Sequence, residues 1–286
     1  MKNQHYYYLL LLNIGMLCIS TSGPLGRFIA LPPPLIIWCR AAIAFVLLGG
    51  YCYWKKDAIG LEFKQNWLVS LLSGSLLSFH WVTYFFALQW SSVAIGMLSM
   101  FTFPIITVLL EPLFFKKKLA WIHLLFGILI LTGISFLTPT FNLDSSVTQG
   151  VLMGLISAVS YALRNLILKK YTLTTNGSIL MFFQMGVTLL VLFPVLFIYP
   201  LQHVSLQLPY LIMLGLITTA IGHTLFLNSL KYFTVGTASI MSSIQPIFGI
   251  VIAMVFLDEI PHANSIVGGV IILITVIIES LRSRPS

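Results

Sequence analysis

The chain has 286 residues, of which 58% are hydrophobic and only 8% are charged, with a mean hydropathy of +1.00. Soluble domains carry about a quarter charged residues, so this composition excludes an ordinary water-soluble globule. The formal net charge of +8 does not indicate a nucleic-acid partner, because no basic face on a soluble fold is present. Cys18, Cys39 and Cys52 lie in apolar segments at no metal-ligand spacing, and we expect small buried hydrophobes there.

Ten apolar segments are long enough to cross a bilayer, which takes about 20 helical residues. They are predicted at 6–29, 33–54, 67–88, 91–115, 119–138, 150–170, 177–199, 209–231, 234–257 and 262–281. The longest polar stretches between them are 55–66 and 139–149. The second of these is the predicted boundary between a first half, 1–140, and a second half, 141–286. The fold class is therefore an all-α integral membrane protein.

The order of features in the first half recurs in the second half, 142 residues later. Each copy has a short polar turn, a small-residue helix with a proline, a charged turn and a helix that contains glycine. Among the residues that this offset pairs are Leu88 with Leu230, Val93 with Val235, Pro104 with Pro246 and Gly127 with Gly269. The basic turn Lys116–Lys118 aligns with the acidic Asp258–Glu259, as expected of two halves inserted in opposite senses.

The basic residues define an orientation, because 12 of the 15 lie at alternate segment ends. These twelve are Lys2, Lys55, Lys56, Lys64, Lys116, Lys117, Lys118, Lys169, Lys170, Lys231, Arg282 and Arg284. The loops at the opposite ends contain no lysine or arginine. By the positive-inside rule both termini are predicted to be cytoplasmic. Since each half has five segments, the two five-helix repeats must be inverted.

Three arginines remain inside the apolar segments, where a charge needs a partner or a water-filled cavity. Arg27 is near the outer end of its segment and is expected to reach the interface. Arg164 lies at the depth of Glu111, so a structural ion pair is the simplest expectation. Arg40 has no acidic residue at its depth. It either bonds backbone carbonyls freed by a bend or faces a cavity and holds an anionic group.

Polar and aromatic side chains at matching places in the two halves predict a central site. Segment 67–88 carries His80, Trp81 and Tyr84, segment 209–231 carries His223 and Asn228, and Trp81 aligns with His223 at the repeat offset. Inverted repeats place substrate near the bilayer midplane between the halves, so we expect these residues to face one another. The predicted lining is completed by Phe101, Tyr161, Arg164, Gln245 and, if its face opens to the cavity, Arg40. A packing role for the histidines stays open.

One face of segment 150–170 carries Ser157, Ser160, Tyr161 and Arg164 at helical spacing. Small hydroxylated residues mark either close helix packing or a solvated cavity. By contrast, the sequence has no HExxH, GxSxG, phosphate-binding glycine loop or pair of intramembrane carboxylates. We therefore expect no enzyme activity and no cofactor or metal.

The chain resembles the ten-helix EamA-type carriers of the drug/metabolite transporter superfamily over nearly its whole length. The resemblance rests on Ala87-Leu88, Ser91-Ser92-Val93-Ala94, Pro104 and Arg40, with Leu230-Lys231-Tyr232-Phe233-Thr234, Ala238-Ser239, Pro246, Glu259 and Gly268-Gly269 in the second half. Lys117 departs from the pattern, where a glutamate is usual, which makes Glu259 a turn or capping residue. The resemblance implies inverted five-helix repeats, with helices 1–4 and 6–9 around a central cavity and helices 5 and 10 outside.

The resulting prediction is a multi-pass transporter of the bacterial inner membrane that moves small amino-acid-like or aromatic metabolites by alternating access. The resemblance favours export. The alternatives are a flippase for a lipid-linked group, which would need a continuous polar groove open to lipid, and a membrane-embedded structural subunit. The expected partners are a small-molecule substrate and the lipid bilayer, with a homodimer left open.

Overall fold

The computed structural model describes residues 2–56, 59–115, 121–138, 140–169, 171–173, 175–229, 232 and 242–282. In this part of the chain the regular elements are all helical. They are α1 (Lys2–Ser20), α2 (Ser22–Phe28), α3 (Pro33–Trp54), α4 (Ile59–Trp90), α5 (Val93–Met100), α6 (Phe103–Phe115), α7 (Trp121–Leu137), α8 (Ser146–Lys169), α9 (Gly177–Val191), α10 (Val195–Ile198), α11 (Val204–Met213), a π-helical stretch (Leu214–His223), α12 (Thr224–Ser229), α13 (Ile244–Phe256) and α14 (Ala263–Arg282), with a 3₁₀ turn at Tyr171–Leu173.

These elements form ten spans, in agreement with the ten predicted segments. Span 1 is α1 with α2, span 2 is α3, span 3 is α4, span 4 is α5 with α6 and span 5 is α7; span 6 is α8, span 7 is α9 with α10, span 8 runs from α11 to α12, span 9 contains α13 and span 10 is α14. Seven of the described helices are long and apolar enough to cross a membrane, and spans 5, 9 and 10 hold shorter apolar helices. The all-α membrane fold is confirmed. The start of segment 234–257 and the turn at Lys116–Lys118 lie outside the described residues.

The polar stretch 55–66 is more helical than we expected from its composition. Helix α4 already begins at Ile59, and its only non-helical residue is Asn66, with φ of −123° and ψ of 16°. The expected connection is therefore wrong over 59–66, since the chain forms an extra helical piece that joins span 3 at a kink. Span 8 likewise begins at Val204, five residues earlier than the prediction, with Pro209 accommodated near its start.

Spans 1, 4 and 9 are each interrupted two or three residues before a proline. Span 1 breaks at Thr21 before Pro24, and span 4 breaks at Phe101–Thr102 before Pro104. Span 9 has a turn at Ser243 before Pro246, at the repeat offset from Phe101. The prolines thus lie in the first turn of a new helical piece, where the missing N–H removes no intrahelical hydrogen bond.

The contacts between the two halves are symmetric, because equivalent spans make equivalent contacts. Span 3 packs along span 6, and span 8 packs along span 1; span 3 also packs on span 7, and span 8 on span 2. Spans 2 and 7, spans 4 and 9, and spans 5 and 10 pair with their own counterparts. Swapping the two halves turns each of these contacts either into another contact of the set or into itself, as expected of two structural repeats.

Spans 5 and 10 meet at two glycines. A Cβ atom added at Gly268 would lie 2.5 Å from the carbonyl oxygen of Gly133, which is too close for a side chain. The two backbones can therefore approach this closely only because the residue is glycine. Small residues at helix crossings allow this approach in membranes, where packing replaces the hydrophobic effect between helices. The pair contributes no residue to the central cavity described below, as the resemblance implied.

Candidate functional site

A small cavity lies where the two halves meet, and described residues of spans 1, 3, 4, 6, 8 and 9 supply its wall. Six of the ten predicted site residues line it: His80, Trp81, Tyr84, Tyr161, His223 and Gln245. The remaining wall residues are Ile19, Ser22, Met97, Met100 and Phe103. The space open to the centre of a water-sized sphere is about 20 Å³, which holds about one water molecule. The conformation is therefore contracted around the site.

His80 is held in place from span 6. The Ser157 hydroxyl oxygen lies 2.7 Å from Nδ1 of His80 and 2.9 Å from the His80 carbonyl oxygen. The imidazole stacks on the Tyr161 ring with 4.5 Å between centroids, and it is parallel to the Tyr84 ring at 6.1 Å. Because Nδ1 is engaged by Ser157, Nε2 is the nitrogen that remains for a ligand. The serine stripe of span 6 thus serves the site at Ser157, a role that helical spacing alone did not show.

Trp81 and His223 bring the two halves into direct contact. Their rings meet edge to face with 5.3 Å between centroids, and both line the cavity. Two residues that are equivalent in the repeats, 142 positions apart, thus contact each other across the central interface. Nδ1 of His223 is buried and has no hydrogen-bond partner in the described part of the chain.

Arg40 lies one layer behind the cavity wall and is fully buried. Its guanidinium carbon is 3.9 Å from the centroid of the Trp81 ring, so the cation stacks on the indole. Nε donates to Oγ1 of Thr219 at 2.5 Å, and Nη1 donates to Oγ of Ser22 at 3.3 Å. The sequence suggested backbone carbonyls as partners, but the structure uses two hydroxyls. Thr219 is available because it belongs to the π-helical stretch that packs on span 2.

Arg164 is also fully buried, yet it does not line the cavity and does not pair with Glu111. Its Nε and Nη2 donate to Oε1 of Gln184 at 2.9 and 2.8 Å, and Nη1 donates to Oδ1 of Asn165 at 3.1 Å. The expected ion pair is therefore wrong. The guanidinium instead turns towards span 7, where the neutral amide of Gln184 satisfies it.

Phe101 and Asn228 also lie outside the cavity wall. Phe101 is buried at the break of span 4 and packs edge to face on Phe103, with 5.5 Å between the ring centroids. Phe103 lines the cavity in place of Phe101. Oδ1 of Asn228 accepts from the backbone N–H of Gly177 at 3.0 Å, at the start of span 7. Five residues of helix separate Asn228 from His223 by about 7.5 Å along the axis, which moves Asn228 out of the site.

Both ends of span 1 are tied to the second half. Nε of Arg27 donates to Oε1 of Glu259 at 2.6 Å, Nη1 of Arg27 donates to the carbonyl of Gln89 at 2.6 Å, and Oε2 of Glu259 accepts from the N–H of Val93 at 2.9 Å. At the other end, the hydroxyls of Tyr8 and Tyr232 are 2.5 Å apart. Glu259 is thus a capping residue, as expected, but it caps α5 in the opposite half. Arg27 thus has an ion-pair partner that the sequence did not suggest.

Among the described residues, no group of three or more His, Cys, Asp or Glu side chains is placed to hold a metal ion. Cys18, Cys39 and Cys52 form no disulfide bond, and of the three only Cys52 is fully buried.

A family model for the EamA-like transporter family matches residues 6–138 and 148–281, which are the two halves of the chain. The chain belongs to the EamA-like transporter family. It is a multi-pass membrane transporter built from two five-span repeats. A relative of Bacillus subtilis strain 168, the uncharacterized transporter YxxF, is 27% identical over 91% of this chain and 85% of its own length.

More distant relatives carry named substrates. The S-adenosylmethionine uptake transporter of Rickettsia conorii is 23% identical, with 81% of this chain and 77% of that protein covered. The pseudopaline exporter CntI of Pseudomonas aeruginosa is 21% identical, with 86% of both chains covered. A solved crystal structure with 17% identity superposes over 98% of both chains with a TM-score of 0.68, which shows the shared fold.

Proposed function

We propose that this transporter moves a small amino-acid-like or aromatic metabolite by alternating access and that the cavity between His80 and His223 is its substrate site. The observation that supports this most is the wall itself: rings from spans 3, 4, 6 and 8 surround a few polar nitrogens and hydroxyls. Flat faces bind rings or planar groups, and a small number of fixed polar atoms orients the ligand.

The contracted cavity and the two tied ends support an occluded state between inward-open and outward-open forms. The Arg27–Glu259 contact closes one end, and the Tyr8–Tyr232 contact closes the other. We expect the transport pathway to run from one closed end through the cavity to the other. Alternating access then requires each closure to open in turn.

We further propose that both termini face the cytoplasm of a bacterial inner membrane and that the repeats span 1–140 and 141–286. The asymmetry of the basic residues supports this orientation. We propose export as the direction, on the strength of the resemblance to EamA-type carriers; the named relatives include one uptake transporter and one exporter. Two surface grooves in the described part of the chain, each of about 450 Å³, are lined almost entirely by apolar side chains, which does not support a flippase.

The test is transport by purified protein in proteoliposomes against amino acids, nucleobases and vitamins. His80→Ala and Tyr84→Ala should reduce transport of the accepted compound at least tenfold while thermal stability in detergent stays close to that of the wild type. Matched controls are His262→Ala and Tyr53→Ala, which remove the same side chains at exposed positions. If both cavity variants lose stability but still transport normally per folded molecule, the residues are packing residues and the site proposal is wrong.

A further inference from the structure

The charge of Arg40 has no counter-charge in its surroundings. Its partners are the neutral hydroxyls of Thr219 and Ser22 and the face of Trp81. No aspartate or glutamate is among the buried residues of the described chain. Nη2 of Arg40 is buried and has no hydrogen-bond partner among the described residues. A buried cation in this condition carries an energetic cost that an anion would offset.

The second buried arginine shows what a completed site looks like. All three nitrogens of Arg164 have partners, and Gln184 accepts from two of them with one amide oxygen. The chain is therefore able to satisfy a buried guanidinium with neutral groups, and it does so on span 6 but not on span 2. The difference marks Arg40 as the buried arginine that still has an unused hydrogen-bond donor.

Arg40 lies directly behind two residues of the cavity wall. Ser22 and Trp81, which contact Arg40, are both wall residues, and Trp81 also contacts His223. His223 has an unpartnered buried Nδ1 of its own. Two unsatisfied side-chain nitrogens thus flank one tryptophan at the border of the two halves. We propose that Arg40 is an anion subsite that binds the carboxylate of the transported substrate.

The local geometry suits a carboxylate in particular. Thr219 and the Trp81 face fix the plane of the guanidinium, and the hydrogen bond from Nη1 to Ser22 is long, at 3.3 Å. Rotation of the Ser22 hydroxyl away from Nη1 exposes Nη1 and Nη2 together, the paired donors that a carboxylate binds in a bidentate manner. The single positive charge of Arg40 would then be balanced by the single negative charge of the carboxylate. This subsite rests on the proposed function, because it assumes that the adjoining cavity receives the substrate.

The first experiment compares acids with their neutral amides on the wild-type protein. Thermal stabilisation in detergent is measured with benzoate against benzamide and with phenylalanine against phenylalaninamide, and sodium chloride at equal ionic strength is the control. The acids should stabilise the protein and the amides should not. Equal stabilisation by acid and amide, by chloride, or by none of them overturns the carboxylate subsite without any variant having to fold.

The second experiment removes the charge. Arg40→Gln should abolish the preference for acids, with a loss of at least about tenfold in their apparent affinity. Arg40→Lys keeps the charge and should retain the preference at weaker affinity, because lysine lacks the paired donors. Lys64→Gln removes a cation at an exposed position and should change nothing. An Arg40→Gln protein that still prefers acids contradicts the proposal.

Transport assays separate this inference from the proposed function. If amides or cations are transported and acids are not, the protein is a transporter but Arg40 does not select carboxylates. If acids bind in an Arg40-dependent manner but are not transported, the anion subsite stands, while the proposed substrate class and the role of the cavity as the substrate site fail.

Discussion

The Arg27–Glu259 closure allows a quantitative test of alternating access. Glu259 in the loop between spans 9 and 10 bonds Arg27 of span 1 through one carboxylate oxygen and the N–H of Val93 through the other. Replacement of Glu259 by alanine removes both bonds, while Arg27 keeps its bond to the Gln89 carbonyl. The closure therefore loses its connection to the second half without leaving the arginine wholly unpaired.

The expected size follows from the exposure of the two partners. The Arg27 and Glu259 side chains are 34% and 22% exposed, so solvent screens the ion pair and we assign it about 1 kcal/mol. A side-chain cap on a helix N-terminus contributes about 1 kcal/mol more. The sum of about 2 kcal/mol shifts the equilibrium between closed and open forms by roughly 30-fold, since 1.4 kcal/mol is a factor of ten.

The assay measures how fast the cavity becomes accessible from outside intact cells. Met100 lines the cavity, so Met100→Cys, in a background with Cys18, Cys39 and Cys52 replaced by serine, reports on access by an impermeant thiol reagent. Glu259→Ala should raise the labelling rate by up to about 30-fold, if the open form is rare in the parent.

The neighbouring carboxylate supplies the control. Asp258 is exposed and has a φ of 55°, a conformation that asparagine tolerates, so Asp258→Asn removes a charge from the same turn without backbone strain. It should leave the labelling rate unchanged. An unchanged rate in Glu259→Ala, or an equal rise in both variants, would refute the closure as a gate.

Two further predictions concern packing and orientation. Gly268→Ala should destabilise the pairing of spans 5 and 10 by about 1–3 kcal/mol, because its Cβ atom meets the Gly133 carbonyl, and the thermal midpoint should fall. Gly127→Ala, whose Cβ atom meets a leucine methyl group at 3.9 Å and no other described atom within 4 Å, should leave the midpoint unchanged or higher; equal losses in both variants would refute the close crossing. Ile260→Cys, at a position 76% exposed, should react with an impermeant reagent in intact cells, and Lys117→Cys only after permeabilisation. Labelling of both from the same side would contradict the inverted orientation.

The spans and their interruptions were predictable because they depend on local composition. Apolar length gives the ten spans, and the prolines at 24, 104 and 246 mark the breaks, since a proline is best accommodated in a first helical turn. The extension of α4 from Ile59 was missed because the stretch is polar. Composition alone assigned this stretch to a loop.

The identity of side-chain partners was predictable only where the repeat supplied a second constraint. Trp81 and His223 align at the repeat offset and do meet. Arg164 and Gln184, or Arg27 and Glu259, have no such relation. Their pairing depends on which way each helix is turned, and residue spacing within one helix does not specify this. The missed wall residues, Ile19, Ser22, Met97, Met100 and Phe103, are mostly apolar and gave no signal that distinguished them from lipid-facing neighbours.

Span 1 carries both closures and its break lies between them. Tyr8 is tied to Tyr232 at one end, Arg27 to Glu259 at the other, and the helix is interrupted at Thr21, beside the wall residue Ser22. A straight helix tied at both ends would transmit the release of one end to the other. With the break at the level of the cavity, we expect either half of span 1 to move while the other stays bound. Because Ser22 also contacts Arg40, a ligand in the proposed carboxylate subsite would act at this break, and we expect ligand binding to influence which end opens.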